Sequence, residues 1–309
     1  MADAAQGALS KLFVRAGTGS GLDYSSPSAE AYEFVSESLQ ATRAVLDTRG
    51  IRGTRSMPYS RARYGLRTIN GEILMHPSPL DLDNWLPRIM GAAEAANVFD
   101  LGDTFSKFGV YIDRVTNRFS YIGCLVSRTT FRCQAGSMME MSVELVGGDE
   151  ELVSAPSSAP TLSTAAASAP YVFHDAVGAV NLPSISAAEI FDMELTIDNV
   201  MAARFVNAVT TTSIVPSDRV VSLGVTVPYD SDHDQAYRLG DSVTPGTTGL
   251  PGDITFTNGS YSLKFEFASL DGPQISPIVQ GKQEVALRFD YIARSSGDCK
   301  EVLITNVSA

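Results

Sequence analysis

The chain contains one pattern of strands and loops twice, and this duplication limits the folds that it can adopt. Each copy opens with an alternating segment, at 32–43 in the first copy and 191–204 in the second, which ends near an arginine on a short apolar tail. A long polar loop follows, and a second alternating segment comes next, at 64–75 or 219–229. A helix-like segment that begins with serine and a run of strands complete each copy. Two tandem copies suggest a chain that supplies two equivalent positions in a larger ring.

The pattern divides the chain into four parts and predicts a mainly β fold. Residues 1–30 are small and polar and predict an N-terminal arm, and 31–150 form the first β domain. A Ser/Ala/Pro-rich linker or insertion with a short hairpin occupies 151–189, and 190–309 form the second β domain. At 309 residues the chain is long enough for each domain to bury a core of its own.

A short helix is expected in the first copy. Ser78 fits the N-cap, Pro79 fits the first helical position, and Gly91 fits the end of the helix. Pro87 is expected to kink or end it. Four apolar residues recur at helical spacing and predict a face that packs on a sheet: Leu82, Trp85, Leu86 and Ile89. The counterpart that begins at Ser231 is more polar.

The charge of the chain argues against a protein that binds nucleic acid specifically. The net charge is −12, and residues 151–309 hold most of it, with 8 Lys and Arg against 18 Asp and Glu. Such a surface repels phosphates unless a local basic patch intervenes. It suits a wall that DNA slides past without sticking.

The sequence offers no convincing catalytic or cofactor site. Gly17-Thr-Gly-Ser-Gly21 resembles the start of a dinucleotide loop, but Leu22 stands at the third glycine position and Pro27 disfavours the helix that should follow. No G-x-S-x-G segment occurs, and the three histidines have no visible Ser or Cys partner: His76, His174 and His233. We therefore predict a protein that is not an enzyme, has no catalytic residues and binds no cofactor; a β-sandwich enzyme would lack a nucleophile, a base and a metal set.

The cysteines predict reduced thiols. Cys124 and Cys133 lie nine residues apart on one predicted strand, which separates them by about 30 Å and places them on opposite faces. They are therefore not expected to form a disulfide, and no pair has zinc-ligand spacing. Together with Cys299 they are expected to be buried and reduced, as in a protein assembled inside a cell.

Asp230-Ser-Asp-His-Asp234 matches the first ligand positions of a calcium loop. Gln235 replaces the glycine of position six and Asp241 replaces the glutamate of position twelve, which favours a solvated acidic loop and leaves a structural calcium as the alternative. We therefore predict that the chain binds no metal. The N-terminus has no signal-peptide pattern and no stretch of 18 apolar residues occurs, so we expect a chain made in the cytosol without a membrane contact.

An arginine-rich loop is the main basic feature. Its six members are Arg49, Arg52, Arg55, Arg61, Arg63 and Arg67. Since the rest of the chain is acidic, we favour charge-assisted, often bidentate bonds to an acidic neighbour. Contact with DNA and a plain solvated loop are the two alternatives, and few aromatic residues are interleaved to stack on bases.

Several segments together resemble the tail tube proteins of long-tailed bacteriophages, over roughly 31–305. The segments are 45–55, the strand through 71–73, 121–124, 141–147, 191–199 and 218–224. The resemblance implies two tandem tail-tube-like β-sandwich or barrel domains whose inner strands join into a closed ring. Rings of this family stack into a hollow tube, often with an acidic lumen, that guides DNA during ejection.

The resemblance also implies partners and contact residues. Members with tandem copies form trimeric rings of six domains, which we expect here, with a hexamer as the alternative. The loop 47–63 would bridge to the next ring, through Arg49, Arg52, Arg55, Arg61 and Arg63. Acidic candidates for the lumen are Asp192, Glu194, Glu284 and Asp290.

The expected location is the phage tail, after assembly in the host cytoplasm. Besides itself, the chain would contact the tape measure protein, the tail terminator and the distal tail proteins, and DNA would pass transiently and without specificity. A tail terminator or distal tail hub that forms a single ring is the alternative function.

Overall fold

The structure is a computed structural model that describes residues 7–47, 50–51, 53–57, 59–183, 188–229, 250–272, 278–279, 284–297 and 299–308. Its elements are mainly strands, as predicted, with one α-helix, α1 (Pro79–Met90), among the described residues. The strands of the first half are β1 (Lys11–Ala16), β2 (Glu30–Tyr32), β3 (Ser36–Glu37), β4 (Gln40–Leu46), β5 (Arg63–Met75), β6 (Val98–Phe99), β7 (Phe108–Asp113), β8 (Arg118–Gln134), β9 (Glu140–Gly147) and β10 (Asp149–Leu152). Those of the second half are β11 (Val180–Asn181), β12 (Asp192–Asp198), β13 (Met201–Arg204), β14 (Ser213–Pro216), β15 (Val220–Pro228), β16 (Gly252–Asn258), β17 (Tyr261–Phe267), β18 (Ser269–Asp271), β19 (Ala286–Arg294) and β20 (Val302–Val307).

One antiparallel sheet runs through both halves of the chain. Its strands follow the order β18-β19-β15-β12-β8-β9-β5-β4, and β3 pairs with β5 beside β4. We call it the main sheet. The long strand β8 belongs to it only with its C-terminal half, because its N-terminal half pairs with β7 and β10 in a second layer.

Two groups of strands, one from each half of the chain, pair in the same order. In the main sheet, β4-β5-β9-β8 is followed by β12-β15-β19-β18. In the second layer, β1-β7-β8-β10 has its counterpart in β11-β16-β17-β20. We call these strands the first set and the second set. The repeat of pairing order agrees with the repeat of sequence pattern, although the strands that pair lie far apart in the chain.

A continuous hydrophobic core lies behind the main sheet and includes residues of both sets. Phe131 of the first set and Phe265 of the second approach each other with ring centroids 5.3 Å apart. The amide of Asn306 in β20 donates to the backbone oxygen of Pro79 at 2.9 Å and to Asp83 at 2.6 Å, which ties the last strand to α1. The two sets are therefore packed on each other as well as joined by the chain.

The helix forms where its local signals predicted it. The Ser78 side chain accepts from the backbone N–H of Asp81, whose own side chain accepts from the N–H of Ser78. Gly91 ends the helix in the left-handed conformation, with φ of 74°. Pro87 lies within the helix and does not end it. The four predicted apolar residues, Leu82, Trp85, Leu86 and Ile89, are all buried. The counterpart predicted from Ser231 and the calcium-like segment Asp230–Asp234 lie outside the described residues.

One prediction about the chain's connecting parts needs correction. Within the predicted arm 1–30, Lys11–Ala16 form β1, which pairs with β7 and buries Leu12, Phe13 and Val14. The short hairpin expected within 151–189 stays a prediction, because residues 184–187 lie outside the described residues. In its described part, Val180–Asn181 pair with the distant strand β16, and the N–H of Ala188 donates to the carbonyl of Val180 at 2.7 Å. Among the described residues no helix is long and apolar enough to span a membrane.

The cysteines also differ from expectation. All three are free, but Cys124 and Cys133 do not lie on opposite faces, since both belong to the same core cluster. A register shift between Val126 and Arg128 in β8 breaks the strict alternation on which the prediction depended. Cys299 was expected to be buried and is exposed.

These environments predict different reactivities for the three thiols. Burial raises the pKa of the Cys124 and Cys133 thiols to about 12, so they stay protonated and shielded below that pH. At pH 8 a disulfide reagent should titrate one thiol per native chain and three per denatured chain. Cys299→Ser should reduce the native value to none, and a second fast-reacting thiol in that variant would contradict the burial of the other two.

Candidate lumen face and junction of the two sets

The main sheet has one face in the core and one polar face. Along β12, β15 and β19 buried and less buried residues alternate, as expected for strands that cover a core on one side. The charged residues on the other side form a patch that we call the polar face. It contains eight carboxylates and four arginines: Glu72, Glu140, Glu144, Asp192, Glu194, Asp198, Asp271, Asp290, Arg128, Arg132, Arg288 and Arg294. Acidic groups are thus in excess.

Ion pairs connect the two sets across this face. Arg128 in β8 binds Asp198 in β12 at 2.6 Å and Glu144 in β9 at 3.4 Å, and Arg132 binds Glu194 in β12 at 3.0 Å. In the β8–β12 register, Arg128 stands opposite Asp198 and Arg132 opposite Glu194. The hydrogen bond to Asp198 raises the pKa of the Arg128 guanidinium. Opposite charges in register stabilise a strand pair by about 0.2–1 kcal/mol each.

Uncharged residues continue the same strand pair, which we call the junction. Thr130 and Thr196, which lie between the ion pairs, are joined by a 3.2 Å hydrogen bond. On the core side Phe131 is paired with Leu195 and Cys133 with Met193. Seven residues of β8 thus face seven of β12, with polar pairs on the outer side of the sheet and mainly apolar pairs on the core side.

The remaining arginines of the polar face are also held by carboxylates. Arg288 lies 3.0 Å from Asp290 and 3.4 Å from Asp192, and Arg294 forms a close pair with Asp271. Each of the four arginines therefore has at least one carboxylate within ion-pair distance. A phosphate that approached them would have to displace a carboxylate first.

A second contact between the sets lies at the end of the junction. The hairpin of β13 and β14 turns over β8 and β9, so that Met201 and Ile214, each 8% exposed, pack with Leu125 and Val146 of the first set. Beyond it, the carbonyl of Val209 accepts a 2.7 Å bond from the backbone N–H of Arg67 in β5. The second set thus reaches across three strands of the first.

The two outer edges of the main sheet are different. Among the described residues, no strand pairs with the outer edge of β4 or of β18, although the backbone N–H of Leu270 in β18 donates to the carbonyl of Leu250 at 2.9 Å. Most of β4 is exposed, including Val45 and Leu46 at its end. Unpaired strand edges favour association with another chain.

The structure separates the predicted arginine cluster. Arg55, Arg61 and Arg63 are exposed, while Arg49 and Arg52 lie outside the described residues. Arg67, which the sequence grouped with them, binds Asp149 at 2.6 Å and Glu150 at 3.2 Å within the chain. Arg67 therefore stabilises the contact between β5 and β10.

Three of the four acidic candidates share the polar face. Asp192, Glu194 and Asp290 lie around Arg288, whereas Glu284 is exposed in the segment before β19. The sequence reading missed the arginines of this face. Their signal was present as charged residues two or four positions apart in single strands, such as Arg128 and Arg132, which a strand places on one side. Among the described residues, no group of three His, Cys, Asp or Glu side chains is placed to hold a metal.

The fold and this face define a β protein in which two strand sets of the same pairing order join edge to edge. The profile of the phage tail tube protein family matches residues 8–293, which is nearly the whole chain. The chain therefore belongs to this family, and the resemblance inferred from its motifs is confirmed. It is a component of the phage tail. A search among curated proteins found no match.

The ion pairs of the junction predict a measurable coupling. A double-mutant cycle of Arg128→Ala and Asp198→Asn should give a coupling of about 0.5 kcal/mol in the free energy of unfolding, measured by urea denaturation. In 1 M salt the coupling should fall, because the screening length shortens to about 3 Å. The control cycle of Arg128→Ala with Glu33→Gln, an exposed carboxylate elsewhere, should be additive. A coupling that is absent or insensitive to salt would contradict the assignment.

Proposed function

We propose that the chain is the subunit of the tail tube and that three chains close into a ring of six sectors. The observation that carries the proposal is the junction, where the first and second sets meet edge to edge through β8 and β12. In this proposal each set is one β domain, built on 31–150 with β1 added or on 190–309 with β11 added. One chain then already contains one of the contacts between neighbouring sectors of the ring. Repeating that contact between chains needs no new type of surface.

The outer edges support closure between chains. In the pairing order of the two sets, β4 takes the same position as β12. Strand β18, at the end of the second set, takes the same position as β8 at the end of the first. Joining β18 and β19 of one chain to β3 and β4 of the next repeats the antiparallel junction. Closure removes both unpaired edges, as in other closed sheets.

The layering of the chain supports a polar face directed inward. The core and the second-layer strands all lie on the other side of the main sheet. A sheet with its bulk on one side closes with that bulk outside, where the circumference is larger. Asp192, Glu194 and Asp290 would then face the lumen, and Glu284 would lie near its rim.

An inward polar face is suited to the passage of DNA during ejection. Its excess of carboxylates repels phosphates, and its arginines are already paired. Binding that depends on neutralising phosphates with free cations would therefore be weak. The proposed role is structural and involves no catalysis, with transient, non-specific passage of DNA.

The exposed arginines support a contact between rings. Arg55 and Arg61 lie on the loop between β4 and β5, and Arg63 is the first residue of β5, at one end of the main sheet. We extend the proposal to Arg49 and Arg52 because of their sequence positions. The bonding partners would be carboxylates of the next ring. Assembly in the host cytoplasm with the tape measure, tail terminator and distal tail proteins belongs to the same proposal.

The proposal predicts rings of three chains. Native mass spectrometry of the purified protein should give a trimer, and electron microscopy should show stacked rings or tubes with a central hole. Six chains in one ring would contradict the tandem arrangement, and a strictly monomeric protein at high concentration would contradict self-assembly. Single rings that never stack would instead favour a tail terminator or distal hub.

The arginine loop predicts an effect on stacking alone. Replacing Arg55 and Arg61 by Ser should preserve the trimer but weaken the ring–ring association by on the order of tenfold for each lost charge-assisted bond, which shortens the tubes. The tube length is measured by electron microscopy. The control variant, Lys11→Ser with Lys107→Ser, changes the net charge equally and should form tubes of normal length. Normal tubes from the arginine variant would refute a role in stacking.

A further inference from the structure

The hairpin of the second set has a counterpart in the first set that lies uncovered. The end of β4 and the start of β5, 43–46 paired with 63–67, extend beyond Ile69, where the pairing of β5 with β9 ends; they take the place in the first set that the β13–β14 hairpin takes after β12 in the second. In the second set the apolar residues of this hairpin, Met201 and Ile214, are packed on the first set. In the first set Val45 is 61% exposed, and Tyr64 and Leu66 are also exposed. We call this surface the head.

The register of the two sets identifies the surface that matches the head. Pairing of β5 with β9 ends at Ile69 opposite Gly147, and pairing of β15 with β19 ends at Val221 opposite Ala293. Val146, one residue before Gly147, therefore corresponds to Ile292, one residue before Ala293.

Val146 and Ile292 have opposite surroundings although their places in the sheet are equivalent. Met201 and Ile214 of the β13–β14 hairpin pack with Val146. Ile292 is 46% exposed on the polar face, next to Asp271 in the register. We call the surface around Ile292 the tail. The two equivalent positions thus differ in one respect, that Val146 is covered by apolar side chains of the neighbouring set and Ile292 is not.

We propose that the head of one chain covers the tail of the next, in the way that the β13–β14 hairpin covers Val146 within the chain. The occupant of the tail is thus a second copy of this chain, and the contact has a direction. This inference rests on the proposed ring and specifies the joint between its chains.

A chain cannot use its own head to cover its own tail. Six strand spacings separate β4 from β19 in the main sheet. At about 4.8 Å per spacing the two surfaces lie roughly 30 Å apart, at opposite edges of the same sheet. Both surfaces are therefore available to neighbours.

Three variants test the joint. The head variant carries Val45→Asp and Leu66→Asp, and the tail variant carries Ile292→Asp. The control is Val177→Asp, which places the same charge at a valine that is 82% exposed and outside both surfaces. Because all four positions are exposed, circular dichroism spectra and thermal midpoints should match those of the unmodified protein.

The expected result depends on the direction of the contact. The head variant and the tail variant should each be monomeric alone in native mass spectrometry, while the control forms trimers. Mixed together, the two defective variants should form dimers of one chain each and no trimers, because one intact head meets one intact tail. A dimer of either variant alone would indicate head-to-head or tail-to-tail contact and would overturn the proposal.

The outcomes separate this inference from the proposed function. If the unmodified protein forms trimeric rings and the head and tail variants form them equally well, the proposed head-to-tail joint is wrong and the proposed trimeric ring stands. A mixture that stays monomeric, with rings intact in the control, would also overturn the head-to-tail joint. If the unmodified protein forms no ring, the proposed function itself fails.

Discussion

The pairing of β8 with β12 is the contact on which the rest of the structure depends. Strand β8 has 17 residues and is shared between the main sheet and the second layer. Its C-terminal half lies between β9 and β12, so removing β12 would leave two shorter sheets with two additional unpaired edges. The shared core behind it, with Phe131 against Phe265, would be opened as well. The continuous polar face exists only because this pair joins the two sets.

In the proposed tube, the polar face would be charged on the side of the DNA without binding it. Its arginines are used in pairs such as Arg128 with Asp198, which neutralise each other at short range. At physiological ionic strength a charge is screened beyond about 8 Å, so DNA near the wall would sense the local balance of charges more than the total of −12. Locally the balance is negative, with Glu140 and Glu72 among the carboxylates of β9 and β5. The excess of carboxylates would repel DNA, and the pairing of the arginines would leave no free cation to bind it.

Features set by neighbouring residues were predictable from the sequence, and features set by distant pairing were not. The helix was predicted because its cap and end depend on Ser78, Pro79 and Gly91 alone. The alternation of β12 predicted that Asp192 and Glu194 share a side. By contrast, the burial of β1 depends on β7, about a hundred residues away, and the shift that places Cys124 and Cys133 in one core is a bulge against β9.

The candidate face was predicted in part for the same reason. Acidic members were recognised, but the arginine partners of Asp192 and Glu194 lie on other strands, and Arg288 meets Asp192 only through the order β12-β15-β19. The duplication was visible in one sequence, whereas the junction that it creates required the strand order.

The two proposed kinds of joint need different strengths because only one of them is covalently linked. Within the chain β8 and β12 are held at a high effective concentration, so exposed ion pairs of about 0.2–1 kcal/mol each are sufficient to set their register. A joint between chains lacks this effective concentration and must also offset the entropy lost on association. Apolar side chains contribute about 1.5–3 kcal/mol each when fully buried. The first set exposes Val45, Tyr64 and Leu66, whereas the equivalent hairpin of the second set is already packed on the first set. A chain that has one junction within itself and forms one joint with a neighbour requires this difference.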